Sequence, residues 1–381
     1  MRKNGNFSDK LPIQMPLAKR KTKKDIFRYL FILFRICSIL DKEHTSNSIC
    51  SVYLQKIFPF IINTIVVLYA IVNTPLVAFH PSNLSVNRAN ATITVSSLIH
   101  RWILCSRIDK LHKLSFHLIE SSRCRNLYSE KSEHKLIYIW SYISILGLAY
   151  LGICSVLSIY PHPLDLLILR HIESWTLLKI FIRTLYAVVM VTMMILPVSV
   201  FAMYYTAMCQ YLCGMLKKFR KSLQATANRD YGEILKFYLF IRKLVSDIDS
   251  ELSILMFSSS LYYASTTYFG LTTIIHQDDY WKDVAILPLS TVWVLFATNF
   301  AAFMAMTVSG SSIYEESAKI YSIVQEKISP EQNLTPTQKR FLSVAEKELA
   351  MTAWKIAPVK RSFIIATLGT IVTYCILLDS L

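Results

Sequence analysis

The chain has 381 residues, 53% of them hydrophobic and 17% charged, and a formal net charge of +16. Its basic residues crowd into stretches that alternate with uncharged apolar runs, so the positive charge reads as membrane topology and excludes a soluble nucleic-acid-binding protein. Eight cysteines show neither the spacing of a zinc site nor a bridgeable pair in any expected outer loop.

The amino-terminal region, residues 1–57, opens with a basic tract at 19–24 followed by an apolar stretch at 26–40 that carries Arg28 and Arg35. No small-residue cleavage site follows, which argues against a signal peptide. Arg28, Arg35 and Lys42 recur every seven residues, so they share one helical face, as in an amphipathic helix at the inner membrane surface.

Six runs hold no Asp, Glu, Lys or Arg: 58–79, 136–160, 184–216, 252–276, 285–314 and 362–378, from 17 to 33 residues long. A spanning helix takes about 17 to 25 residues. A seventh candidate, 91–106, is interrupted by Arg101, a residue that a bundle interior accommodates and lipid does not. The expectation is therefore an all-α membrane protein, one domain over 1–381. Its seven spans fall near 58–79, 91–106, 136–160, 184–208, 252–276, 285–308 and 362–379.

Orientation follows from Lys and Arg. With the amino terminus cytoplasmic, the inner segments 1–57, 107–135, 217–251 and 315–361 hold 35 of them, and the outer segments hold three, Arg88, Arg170 and Lys282. Basic loops resist translocation, so the carboxyl terminus is expected outside. Two glycosylation sequons, at Asn83 and Asn90, fall in the first outer loop of this scheme.

The outer loop 161–175 carries His162, Asp165, His171 and Glu173 without metal-ligand spacing, and His276 to Asp279 read as a solvated loop. Neither is catalytic, and no nucleophile elbow, phosphate loop or paired membrane carboxylate is present elsewhere. No enzyme, cofactor or metal is expected.

The fourth run, at 33 residues, spans about 50 Å as a helix against a hydrocarbon core of about 30 Å. Its distal end runs without a breaker into Lys217, Lys218, Arg220 and Lys221, and Pro197 is expected to kink it. Helices are expected at 234–245, 314–327 and 337–355, extending the inner side of the bundle into a platform where subunits meet. Only eight glycines are present, so packing is expected through larger side chains and polar contacts.

At the carboxyl end, Val359 to Phe363 followed by Gly369 to Tyr374 resembles the last helix of insect gustatory receptors. Their signature is Thr-Tyr, five hydrophobic residues, then Gln-Phe. Thr373 and Tyr374 match; Asp379 takes the fifth hydrophobic place, Ser380 the Gln place and Leu381 the Phe place. Length, inverted seven-helix topology and an abrupt outer end agree with that family, and the insect odorant receptors, which share the architecture, are the alternative.

The resemblance implies a ligand-gated cation channel of four subunits, a homo- or hetero-tetramer with related receptor subunits, embedded in the lipid bilayer. A small-molecule tastant opens it and cations permeate. By resemblance it belongs in the plasma membrane of chemosensory dendrites. The resemblance places the pore gate at Leu377, Ser380 and Leu381, which share one helical face, with Asp379 as a candidate acidic ring at the outer mouth. It places the ligand pocket at the outer ends of spans two to six, where Tyr150, Trp175, Lys179, Arg183, Tyr186, Tyr268 and Trp293 are the candidates. Lys179 and Arg183, four residues apart, suit an anionic or polyhydroxylated ligand. A G-protein-coupled receptor is opposed by the charge distribution and by the lack of Asp-Arg-Tyr and Asn-Pro-x-x-Tyr motifs. A transporter is opposed by the scarcity of glycine- or proline-broken spans.

Overall fold

A computed structural model describes residues 26–37, 84–124, 191–225, 230–275, 286–328 and 333–379, together with Thr64 and six positions between Tyr142 and Tyr150. The expected first span apart from Thr64, and the third apart from those six helical positions, lie outside the described residues. The elements are α1 (Ile26–Ile36), α2 (Leu84–Cys124), a π-turn (Val191–Ile195) leading into α3 (Leu196–Gln224), α4 (Tyr231–Ile275), α5 (Ile286–Ile328), α6 (Pro336–Glu346), a short hairpin of β1 (Thr352–Ala353) and β2 (Ala357–Pro358), and α7 (Arg361–Asp379).

α3 is the axis on which the others pack, touching α1, α2, α4 and α5. Val198 and the run from Val200 to Tyr205 are all buried, and a helix apolar on every side can be satisfied only by neighbours on every side. Tyr204 shows how: its hydroxyl donates to the Leu111 carbonyl of α2 at 2.9 Å, while its ring meets Phe27 and Phe34 of α1 edge-on at 5.6 and 6.2 Å. α1 is amphipathic, and its apolar face, with Phe27, Leu30 and Phe34 buried, lies against Tyr204 and Tyr211 of α3.

Arg101, in the expected second span, is held inside the bundle. It is buried on α2 and donates through Nη1 to the carbonyls of Cys37 at 2.9 Å and Met193 at 3.1 Å. Pro197 has no N–H to offer the Met193 carbonyl four residues earlier, so that acceptor is free for a side chain. The next two carbonyls are taken likewise, Met194 by Ser97 at 2.7 Å and Ile195 by Ser199 at 3.3 Å. The break expected at Pro197 is thus a π-turn whose carbonyls are capped mostly from α2.

The long helices run on past the expected spans. α4 fuses the segment around 234–245 with the fifth span, and α5 runs unbroken through 314–327. These extensions pack together: Phe219 stacks on Tyr238 at 5.4 Å, and Tyr238 meets Phe341 of α6 at 5.8 Å. Arg107–Glu251 at 3.1 Å ties α2 to α4, and Arg220–Glu316 at 3.0 Å ties α3 to α5.

Two expectations are corrected. The helix expected over 337–355 ends at Glu346. Beyond it the Thr352 and Trp354 amides are claimed by α4, through the Asp249 carboxylate at 2.6 Å and the Ser253 carbonyl at 2.9 Å, which a continuing helix would forbid. Packing also uses glycine where helices come closest. A Cβ on Gly270 would lie 2.6 Å from the Phe296 side chain, and one on Gly310 would lie 2.8 Å from the Tyr205 hydroxyl. Among the described helices, Thr192–Gln224 and Val292–Ile328 are long and apolar enough to cross a membrane, and Arg361–Thr373 is a shorter apolar segment.

Candidate ligand pocket and channel helix

Three of the expected ligand residues fall within the described part. The Tyr150 hydroxyl bonds Ser290 Oγ of α5 at 2.7 Å. A Cβ on Gly147 would sit 3.2 Å from Thr298, so this helix runs antiparallel to α5. Trp293 lies between those two contact points, and its ring meets Phe296 edge-on at 6.3 Å. Across α5, Gly270 of α4 abuts the same Phe296, and Tyr268, half-buried, is two residues away.

Tyr150, Tyr268 and Trp293 therefore stand at one level of the bundle, around residues 290–298 of α5. Trp293 is 44% exposed, so its indole is the most open of the three. Trp175, Lys179, Arg183 and Tyr186 lie outside the described residues.

Along α4, on either side of Tyr268, the side chains of Ser260, Tyr262 and Thr272 are buried, and their hydroxyls have no partner among the described residues. A buried hydroxyl left unpaired costs about 1–3 kcal/mol, which makes these three candidates for bonding a ligand. Nothing in the sequence marks them, because a Ser or Thr in a helix commonly satisfies its hydroxyl on its own backbone, as Ser259 and Thr273 do here, and a lone Tyr reads as packing. His100 is of the same kind: Nδ1 bonds Ser258 at 2.9 Å, the ring abuts Phe201, and Nε2 has no partner among the described residues.

α7 contrasts with the rest of the bundle. Ile364 and Ile371 are buried, whereas Ile365, Val372, Ile376 and Leu377 are exposed, Ile376 by 64% and Leu377 by 52%. A Cβ on Gly369 would meet nothing within 4 Å. Thr370 and Thr373 turn their hydroxyls onto their own helix at 2.8 Å, so exposure leaves no polar group unpaired. Gly369, Thr373 and Leu377, at intervals of four, lie on one exposed line. Asp379 is the last residue of α7; Ser380 and Leu381 lie outside the described residues. Tyr374 is helical and Asn90 lies within the first two turns of α2; Asn83 lies outside the described residues.

The base of α7 is held firmly. The Asp249 carboxylate accepts from the Thr352 amide at 2.6 Å and its hydroxyl at 2.8 Å. The Trp354 ring lies 4.8 Å from Phe257 of α4. Arg361 grips Glu315 of α5 with two bonds, at 2.6 and 3.0 Å. Glu348 accepts from Lys360 at 2.9 Å and Tyr314 at 2.8 Å, bonds that hold its carboxyl below the usual range. Burial pushes the Asp249 carboxyl up, against the bonds from Thr352. Trp354 and Lys355, between β1 and β2, have φ of 52° and 56°, a left-handed pair without glycine.

This architecture matches solved structures. The insect olfactory receptor OR5 from Machilis hrabei aligns with a TM-score of 0.62 at 12% identity, covering 93% of this chain and 98% of that one. The chain has the fold of an insect olfactory receptor. A structure of that receptor in complex with eugenol aligns with a TM-score of 0.59 over the same shares, again at 12% identity. No family model and no curated protein matches the sequence. The neighbours are receptors and not enzymes, and they belong to the odorant alternative rather than to the gustatory family first expected. In the olfactory-receptor fold of this chain, an exposed apolar α7 stands beside a bundle whose α4 and α5 both run from the Tyr150 level to the base of α7.

Proposed function

We propose that this chain is a subunit of a ligand-gated cation channel of the insect chemosensory type, opened by a small molecule. The odorant-receptor reading is the better supported of the two; the gustatory reading rests on the partial Thr373-Tyr374 signature. The observation that carries the proposal is α7, a helix with exposed apolar side chains that the described residues anchor along one stripe and at its base. Four copies around an axis would cover those faces and line a pore with Gly369, Thr373 and Leu377, closed by a hydrophobic constriction. Asp379 would add an acidic ring at its mouth. The amino terminus is cytoplasmic in this reading, and the spans cross a plasma membrane.

Ligand binding and gating connect through α4. From Tyr268 to Asp249 the helix covers about 28 Å, so a tilt set by a ligand beside Tyr150, Tyr268 and Thr272 arrives at the clasp that holds Thr352 and Trp354. The pocket level, where aromatic rings stand among a few hydroxyls, suits a small, largely apolar molecule.

The test is whole-cell current from cells expressing this chain, alone and with a co-receptor subunit, under panels of volatile and soluble molecules. An evoked cation current supports the channel. Tyr150→Phe removes one hydrogen bond at the pocket and is expected to shift the half-maximal concentration about fivefold, leaving maximal current unchanged. Surface-expressed protein that stays silent to every molecule in both arrangements would contradict the reading.

A further inference from the structure

The packed face of α1 leaves its other face over a cleft of about 370 Å³ against α2, lined by Arg28, Ile32 and Arg35 on one side and His112 and Phe116 on the other. Phe31 forms its floor, with the His112 ring set edge-on at 4.6 Å. Arg28 and Arg35 are exposed and pair with no carboxylate among the described residues. They stand two turns apart, about 10 Å along the axis, so their side chains reach toward the cleft from both ends. Two apolar side chains open to solvent adjoin them, Ile32 at 47% and Phe116 at 65% exposed.

A solvated surface would set the charges apart from bare apolar rings. Cations beside an uncovered apolar lip match a molecule with an anionic head and a hydrocarbon tail. The depth is right for one: His112 is six residues past Ser106, the inner end of the expected second span, about 9 Å along the helix. The headgroup layer extends about 5–8 Å beyond the hydrocarbon core on each side, and a tilted helix reaches it at this point.

We propose that this cleft binds an anionic phospholipid of the inner leaflet. Arg28, Arg35 and His112 hold the phosphate of the headgroup by charge-assisted hydrogen bonds, and an acyl chain lies along Ile32 and Phe116. The inference rests on the cytoplasmic orientation of the amino terminus. The bound lipid would fasten α1 to α2, and through the Arg101 bond to Cys37 it would bear on the π-turn of α3. Occupancy therefore stabilises the folded bundle.

The experiment is native mass spectrometry of the full-length protein released from vesicles of phosphatidylcholine with and without phosphatidylserine. Three variants are compared with the unmodified chain: R28Q/R35Q, F116Q, and K339Q/R340Q, which removes the same charge from the exposed face of α6. The expected result is retained phosphatidylserine on the unmodified chain and on K339Q/R340Q, about thirtyfold less on R28Q/R35Q, and an intermediate loss on F116Q. Equal retention in R28Q/R35Q and K339Q/R340Q would overturn the site. Retention unchanged in F116Q but abolished by inorganic phosphate would assign the cleft to a free phosphate and overturn the lipid. Phosphatidylcholine carried by every variant reports embedding of the bundle by itself, so failure of this site is separable from failure of the membrane reading.

Discussion

At the residue scale, Arg101 and Pro197 form a reciprocal pair: the proline frees a carbonyl and the arginine takes it. Arg101→Leu leaves the buried carbonyls of Cys37 and Met193 without this donor, a loss expected near 3 kcal/mol. Pro197→Ala supplies the missing N–H to Met193, so it should recover at least about 1 kcal/mol in the Arg101→Leu background and less in the unmodified chain. Thermal melting of the four purified proteins measures the coupling; additive effects would show that the two residues act separately. A second residue, Glu348, carries a pH signature. Its folded pKa lies below the unfolded one because of Lys360 and Tyr314, so its stabilising share is present above the usual carboxylate range. That share is lost as pH falls through the depressed value. Glu348→Gln should lower the neutral plateau by that share and converge with the unmodified protein in acid, so the acid limb of the melting curve flattens.

At the element scale, the hairpin between α6 and α7 is where sequence reasoning fell short. A helix through 337–355 is reasonable from composition, since neither glycine nor proline interrupts it. What ends it is Asp249 and Ser253, a hundred residues earlier in the chain, and no local pattern reveals a distant acceptor. The turn is also built from Trp354 and Lys355 where left-handed geometry favours glycine. Lys355→Gly is expected to stabilise the protein by about 1 kcal/mol, read as a higher melting temperature, with Trp354 kept to preserve its contact with Phe257. A loss of stability instead would mean that the strain is offset by a Lys355 contact. The long helices were more legible. Overlong apolar runs flowing without a breaker into charged ones announced that α3 and α5 continue beyond a membrane's thickness, and Arg101 was legible as an interior residue because lipid could not hold it. The pocket was less so, since Tyr262 and Thr272 gain meaning only from lacking a partner in three dimensions.

At the scale of the whole molecule, the described helices divide into a bundle buried on itself and α7, whose outward side chains are exposed. Charge spacing foretold helical spans and an inner extension, and the olfactory-receptor fold accommodates both. It could not distinguish odorant from gustatory type, because the two share the pattern of spans from which it was read. Exposed Leu377 and terminal Asp379 concentrate the central claim, a fourfold pore lined by α7. The direct measurement is the ligand-evoked current and its reversal potential in unmodified, Leu377→Ala and Asp379→Asn channels under a sodium chloride gradient. The account predicts that Leu377→Ala raises the current without ligand by widening the hydrophobic constriction. It also predicts that Asp379→Asn moves the reversal potential toward the chloride equilibrium value as cation preference weakens. Currents with unchanged resting level and unchanged reversal potential in both variants would contradict an α7-lined pore.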